Sequence, residues 1–244
     1  MSQRTIAIVQ ARVDSTRLPA KVLLDLAGEP VLVRVVERLK RSKLLDGVIV
    51  ATSVSEKDDP IEALCAQRSY KCYRGSELDV LNRFYWAAKG DNASTVIRIT
   101  SDCPLVDPQL LDEGLSQFNS AQGSIDYLVN EGFPRGFDFE IFSFAALERA
   151  WNEDQNPAMR EHVTPYIYQN PALFSLTAIY CPEDTSGIRL TIDTLEDYLL
   201  VNKILTTAPE ETLGWREIVA MVKAKRSWRK LNSNVRQKAM PAAF

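Results

Sequence analysis

Near its N-terminus the chain runs Ile6-Ala7-Ile8-Val9-Gln10-Ala11-Arg12-Val13-Asp14-Ser15-Thr16-Arg17-Leu18-Pro19-Ala20-Lys21. The unbroken apolar run from Ile6 to Val9 predicts a strand buried on both faces, as in a parallel sheet covered by helices. Behind it, Arg12, Arg17 and Lys21 stand among hydroxyl and Asp residues that favour tight turns, and Pro19 fixes the backbone before the lysine. Cations and backbone N–H groups just beyond the C-terminal end of a first parallel strand suit a polyanion, because open α/β sheets bind ligands in that crevice. For any single Arg a solvated basic loop is the simpler reading; the set of three favours a phosphate cradle.

Outward from this stretch, strands and helices alternate. Pro30 is placed at the first position of a helix in which Val31, Leu32, Val35, Val36 and Leu39 share a face. Val48–Thr52 predicts a second strand, Asp58-Asp59-Pro60 a helix start and Lys71–Tyr73 a short third strand. Arg74-Gly75-Ser76 then reads as a capping turn leading into a helix that carries Arg83, for which a surface position is one of two equal readings. A β-branched strand from Val96 runs on to Asp102, with Asp107 before Pro108 as the better cap of the next helix. Ile125–Val129 and Asp138–Phe142 read as strands joined through Gly132, Pro134 and Gly136, and Ser143 as the N-cap of a helix through Trp151. Arg189–Asp193 reads as a strand passing directly into a helix at Thr194. The expected fold is α/β: a three-layer, mostly parallel, Rossmann-like sheet with a small central hairpin and helix insertion near residues 125–170. Residues 1–225 are read as the main domain and 226–244 as a basic tail.

Composition narrows the classes. With 45% hydrophobic residues over 244, the chain is an ordinary globular one. It shows neither a membrane-length apolar run nor a signal peptide's order, so a cytoplasmic protein is expected. Cys65, Cys72, Cys103 and Cys181 have no CxxC spacing, which predicts free thiols. His162 is the only histidine, which argues against a zinc-hydrolase site. A net charge of −3 gives the chain as a whole no attraction to nucleic acid. The tail differs: Lys223, Lys225, Arg226, Arg229, Lys230, Arg236 and Lys238 have no acidic residue among them, a segment read as solvated or partner-facing, with Trp228 and Leu231 as possible anchors.

The opening stretch, with Ala11-Arg12, Ser15-Thr16-Arg17-Leu18-Pro19-Ala20-Lys21 and Gly28-Glu29-Pro30, resembles the nucleotide-binding signature of the sugar-acid cytidylyltransferases, and within them the SpsF-like branch of spore coat polysaccharide biosynthesis. Ala20 stands where that signature has Gly. The resemblance implies a nucleotidyltransferase sheet of the GT-A-like kind, CTP as substrate and Mg²⁺ as cofactor. By the same resemblance Gln10, Ala11, Arg12, Ser15, Arg17, Lys21, Arg74 and Ser76 face the nucleotide, and Arg12, Lys21, Asp102 and Asp193 carry catalysis. It assigns Asp102 and Asp193 to the metal. The two would converge if their strands are neighbours.

Asp138 and Glu140, alternating on one strand, and His162 and Tyr166, four apart, resemble the acceptor-binding positions of these enzymes. At that spacing the last two share a helical face, although Pro165 sets a helix start close to it. A polar outer strand face and a locally satisfied His and Tyr are the plainer readings. The family's Glu-Gln-Leu-Arg string is missing between Tyr166 and Asp193, so the acceptor half looks shortened. A homodimer formed through about residues 126–169 is implied. Two other functions stay open: a glycosyltransferase of related fold, disfavoured because Ser101-Asp102-Cys103 stands where Asp-x-Asp is expected, and a non-catalytic nucleotide-binding partner protein.

Overall fold

The computed structural model describes residues 4–121, 123–209 and 213–237. Its first strand, β1 (Thr5–Gln10), is the centre of one side of a seven-stranded sheet. Ile6, Ala7, Ile8 and Val9 are fully buried, because helices cover both faces. β2 (Asp25–Leu26) and β3 (Glu29–Pro30) form a separate two-stranded ribbon before α1 (Val31–Leu39). Pro30 is the residue before that helix rather than its first residue. The chain then continues through β4 (Gly47–Ser53), α2 (Asp59–Gln67), β5 (Lys71–Gly75), α3 (Val80–Gly90), β6 (Thr95–Thr100) and α4 (Pro108–Ser120). As expected, Asp107 caps α4, accepting from the N–H groups of Gln109 and Leu110.

The hairpin of β7 (Tyr127–Glu131) and β8 (Glu140–Ser143) follows, then α5 (Phe144–Glu153), α6 (Pro157–His162), α7 (Pro165–Tyr168) and β9 (Leu176–Tyr180). Three helices close the fold: α8 (Leu195–Leu205), α9 (Trp215–Ala224) and α10 (Arg226–Arg229). Sheet order is β5-β4-β1-β6-β8-β7-β9, and β8 alone runs antiparallel to its two neighbours. Alternate residues of the strands feed two cores. Ala7, Val9, Val50 and Ile99 pack with α1, α4, α8 and α9, whereas Ile6, Ile8, Ile49 and Val96 pack with α3 and α5. This is the expected three-layer architecture.

From β1 the chain moves one way to β4 and β5, then returns to place β6 on the other side of β1. That reversal is a topological switch point, and the crevice it leaves opens at the C-terminal ends of β1 and β6. The loop holding Arg12, Arg17 and Lys21 leaves β1 there, and Asp102 follows β6.

Two further expectations about local structure are corrected. Residues 189–193 form no strand; they are an extended run with a single bridge, Arg189 to Arg135. The run is held because Ile192 N–H donates to the Asp102 carbonyl at 2.8 Å and Leu190 N–H to the Arg135 carbonyl at 2.6 Å. Gly136 permits the crossing: its φ is +113°, and a Cβ there would stand 2.5 Å from the Leu190 carbonyl carbon.

The second correction concerns His162 and Tyr166. A γ-turn separates them, with Val163 at φ 73° and ψ −56° and Thr164 N–H bonded to the His162 carbonyl at 2.9 Å. They therefore lie on different helices, α7 starting at Pro165 as the proline requires.

Candidate active site

Lys21 opens a single 3-10 turn, Lys21–Leu23, directly after Ala20. Ala20 takes φ 51° and ψ 26°, so an alanine here holds the left-handed conformation for which glycine is suited. The loop before it is closed by Ala20 N–H on the Val13 carbonyl at 3.1 Å. It is pinned to the sheet by Asp58, which accepts from Val13 N–H at 2.7 Å and from the Ser53 hydroxyl at 2.5 Å. Burial favours a neutral Asp58, but the hydrogen bonds from Ser53 and Val13 outweigh it and keep its pKa below the usual aspartate value. The sequence marked Asp58 only as a helix start; its position five residues after a hydroxyl at the end of a strand was the available signal.

Held this way, the Lys21 side chain lies buried between two carboxylates. Its Nζ is 2.8 Å from Asp102 Oδ2, 2.8 Å from Asp193 Oδ1 and 2.8 Å from the Ile192 carbonyl. Burial alone would lower its pKa, yet Asp102 and Asp193 together raise it above the ordinary lysine value. Asp193 also receives Arg17 Nη2 at 2.9 Å and Arg189 Nη2 at 2.6 Å on its other oxygen. Asp102 and Asp193 thus converge as expected, by the backbone bond from Ile192 to Asp102 rather than by neighbouring strands.

Around this centre, Gln10, Arg12, Ser15, Arg17, Lys21, Thr100, Asp102 and Asp193 line a cleft of about 440 Å³. That volume is within the ordinary range for small-molecule sites. Ala11 is buried beneath it, its N–H bonded to the Ala51 carbonyl at 3.1 Å. Arg12 points outward, with 55% of its side chain exposed, and meets Glu161 at 3.9 Å.

Other predicted residues stand elsewhere. Arg74 is committed to β4 and α2: it donates to the carbonyls of Ser53 and Ser55 at 2.9 Å each and pairs with Asp59 and Glu62. The Ser76 hydroxyl accepts from Asp79 N–H in the turn before α3, and it is Asp79 that caps the helix, accepting from Asn82 N–H at 2.9 Å. Arg83 is buried rather than at the surface, donating to the Ser76 carbonyl at 3.0 Å, and burial pushes its pKa down to about 10.

On the hairpin, Asp138 accepts from Gly136 N–H at 2.7 Å. Glu140 is satisfied on both oxygens, by Arg98 at 2.5 Å and by the hydroxyls of Tyr127 and Thr164 at 2.6 Å each. His162 is half-buried. Burial first, then the cations Arg98 and Arg12, lower its pKa below the usual histidine value. The Tyr166 hydroxyl instead donates to Glu153 at 2.8 Å, and its ring meets Phe174 edge-on.

The basic tail is not simply solvated. Trp228 and Asn232 are buried, and Arg236 and Gln237 reach Arg17 and Arg189, contacts with no sequence signal because all lie over forty residues apart. Lys238 lies outside the described residues. Cys65 and Cys103 are buried free thiols and Cys72 and Cys181 are half-buried ones. Among the described residues no helix is long and apolar enough to cross a membrane.

This sheet order, with a switch-point cleft that sets Arg12, Arg17 and Lys21 against Asp14, Asp102 and Asp193, is an α/β fold of the nucleotidyltransferase class. The sequence pattern of the family described as Cytidylyltransferase matches residues 6–227. The chain is 40% identical over 238 residues to an uncharacterised protein of Methanocaldococcus jannaschii, covering 97% of each. To the spore coat polysaccharide biosynthesis protein SpsF of Bacillus subtilis it is 39% identical over 213 residues, covering 83% of this chain and 87% of that one. A solved cytidylyltransferase from Leptospira borgpetersenii superposes with a TM-score of 0.89 at 34% identity, over 93% of this chain and 96% of that one. The chain belongs to the cytidylyltransferase family.

Proposed function

We propose that this cytidylyltransferase transfers CMP from CTP to an acidic or surface-polysaccharide sugar, with Mg²⁺, and releases pyrophosphate. One observation carries the proposal: a buried ammonium, that of Lys21, rests 2.8 Å from both Asp102 and Asp193 at the switch-point crevice. Two converging carboxylates already hold a cation there. Magnesium favours hard oxygen donors and takes only one or two carboxylates while keeping several waters, so the residues fit it. When bound, the metal supplies charge neutralisation and polarises the phosphate under attack.

The chain's own groups do the rest by positioning, on which phosphoryl chemistry mainly depends. Arg17, on the cleft wall, and Arg12, at its mouth, hold the outer phosphates. Lys21 turns from the carboxylates to the oxygens of the α-phosphate and stabilises charge that develops there. His162, kept neutral, and Asp138 at the foot of the hairpin orient the sugar so that its hydroxyl meets the α-phosphorus in line with the departing pyrophosphate. The name of the Bacillus subtilis relative supports a surface-polysaccharide sugar as acceptor.

The test is pyrophosphate release from each of CTP, UTP, ATP and GTP with Mg²⁺ and a panel of acidic sugars, Asp102→Asn serving as control. Release that needs both CTP and one acceptor, and is lost in the variant, supports the assignment. Transfer from a nucleotide-sugar instead would make the protein a glycosyltransferase. Failure to bind any triphosphate in calorimetry with Mg²⁺ would sink it in favour of a binding protein.

A further inference from the structure

The family pattern ends at residue 227, yet the chain beyond it reaches back to the carboxylate centre. The link is Arg189. Its Nη2 donates to Asp193 Oδ2 at 2.6 Å, its Nε to Asp197 Oδ1 at 3.0 Å and its Nη1 to Gln237 Oε1 at 2.5 Å. Asp197 is fully buried and also accepts the N–H groups of Asp193 at 3.1 Å and Thr194 at 3.2 Å. One buried carboxylate therefore fixes Asp193 twice, at its backbone directly and at its side chain through Arg189.

Asn232 completes the arrangement. It is buried, and its side-chain nitrogen donates both hydrogens, one to Asp197 Oδ1 and one to the Arg189 carbonyl, each at 2.9 Å. Among the described residues nothing comparable holds Arg17, which is more exposed and meets the tail at the Arg236 carbonyl, at 3.4 Å. The three cations on the carboxylate pair thus fall into two kinds. Lys21 and Arg17 border the cleft and can turn to a triphosphate; Arg189 is tied on three sides and stays.

We propose that Arg189, seated on Asp197 by Asn232, is a positioning residue that presents Asp193 to the metal, which makes the C-terminal segment a working part of the site. This rests on the metal-dependent reading above. Groups that orient a metal ligand without touching the metal are worth roughly 10- to 100-fold in metal affinity. An arginine fork spanning two carboxylates is also a task lysine cannot perform.

The experiment uses the full chain and Mn²⁺ as probe, following the free-ion electron paramagnetic resonance signal as metal is added with CTP present. Asn232→Ala and Arg189→Lys are compared with wild type and with Lys230→Ala, an exposed tail control. The expected result is a loss of Mn²⁺ affinity of about 10-fold or more in both variants and none in the control. CTP affinity in chelator, measured by calorimetry, should be unchanged in all of them. A role confined to folding would lower the melting temperature and leave Mn²⁺ affinity alone, which would overturn the proposal. So would an equal loss in Lys230→Ala. Arg189→Lys keeps the charge, so it carries the test where Asn232→Ala fails to fold. Wild-type protein that takes up no Mn²⁺ with CTP removes the metal-dependent reading itself.

Discussion

Lys21 Nζ lies 2.8 Å from Asp193 Oδ1, a contact that lowers the pKa of the carboxyl and adds to the larger pull of Asp102 in raising that of the ammonium. Burial alone would favour a neutral Asp193, but Lys21, with Arg17 and Arg189 beside it, brings the carboxyl from its ordinary 3.8 to about 2.

Acid stability follows from that displacement. The folded protein holds fewer protons at Asp193 than the unfolded chain between these two values. The stabilisation is therefore complete above about pH 4 and is lost as pH falls through about 2. Its size is about 2 kcal/mol. Lys21→Met should bring the Asp193 value back up and make the fall in urea midpoint between pH 5 and pH 2 shallower than in wild type. Parallel curves for the two proteins would show that Lys21 does not govern Asp193.

The single histidine gives an unambiguous titration. Because burial and the two arginines lower its pKa, the imidazole signal in an NMR titration should have its midpoint below 6.5, and Arg12→Gln should move it upward. The sign for stability is fixed too. Just below pH 6.5 the unfolded chain holds more of this proton, so protonation of His162 costs stability as pH falls and neutrality restores it as pH rises. A midpoint at or above 6.5 contradicts the burial argument.

Glu140 is occupied by Arg98, Tyr127 and Thr164, and both members of the ion pair are less than a fifth exposed. Glu140→Gln leaves the Arg98 charge without its partner, at a cost of about 3 kcal/mol. The variant should lose that much in urea unfolding and keep the acceptor KM of wild type. A raised KM with unchanged stability would return Glu140 to the acceptor site.

Ala20 sits in a left-handed conformation, with φ 51° and ψ 26°. Ala20→Gly should raise stability by about 0.5–1 kcal/mol, the relief of the Cβ clash less the greater freedom of glycine in the unfolded chain. Thermal unfolding reads it directly, and a lower melting temperature would mean that the loop draws on the methyl contact.

The alternation of apolar runs and helical faces made the sheet legible, since burial on two faces leaves strands such as Ile6–Val9 with no polar positions. Lys21 and Asp102 were legible for a related reason, since each follows a strand that ends at the switch-point crevice; Asp193 was read at the end of a strand that proves to be an extended run with a single bridge. Arg74 and Ser76 match the nucleotide signature in sequence, but a chain pattern cannot tell an arginine facing a cleft from one tied to Asp59 and Glu62. Tyr166 was misplaced because helical spacing presumes an unbroken helix, and a buried valine gives no warning of a positive φ. Arg189, Asp197 and Asn232 form their network across forty residues of chain, which no local pattern records.

Gly136 crosses the run that carries Asp193 so closely that a methyl group would meet the Leu190 backbone. The hairpin loop and the carboxylate segment are therefore in direct main-chain contact, with Leu190 N–H also bonded to the Arg135 carbonyl. Among the described residues the Asp193 run is joined to the hairpin loop by main chain, whereas the loop after β1 meets it through the side chains of Lys21 and Arg17. One wall of the crevice is riveted to the carboxylates in backbone; the opposite wall is latched to them by side chains.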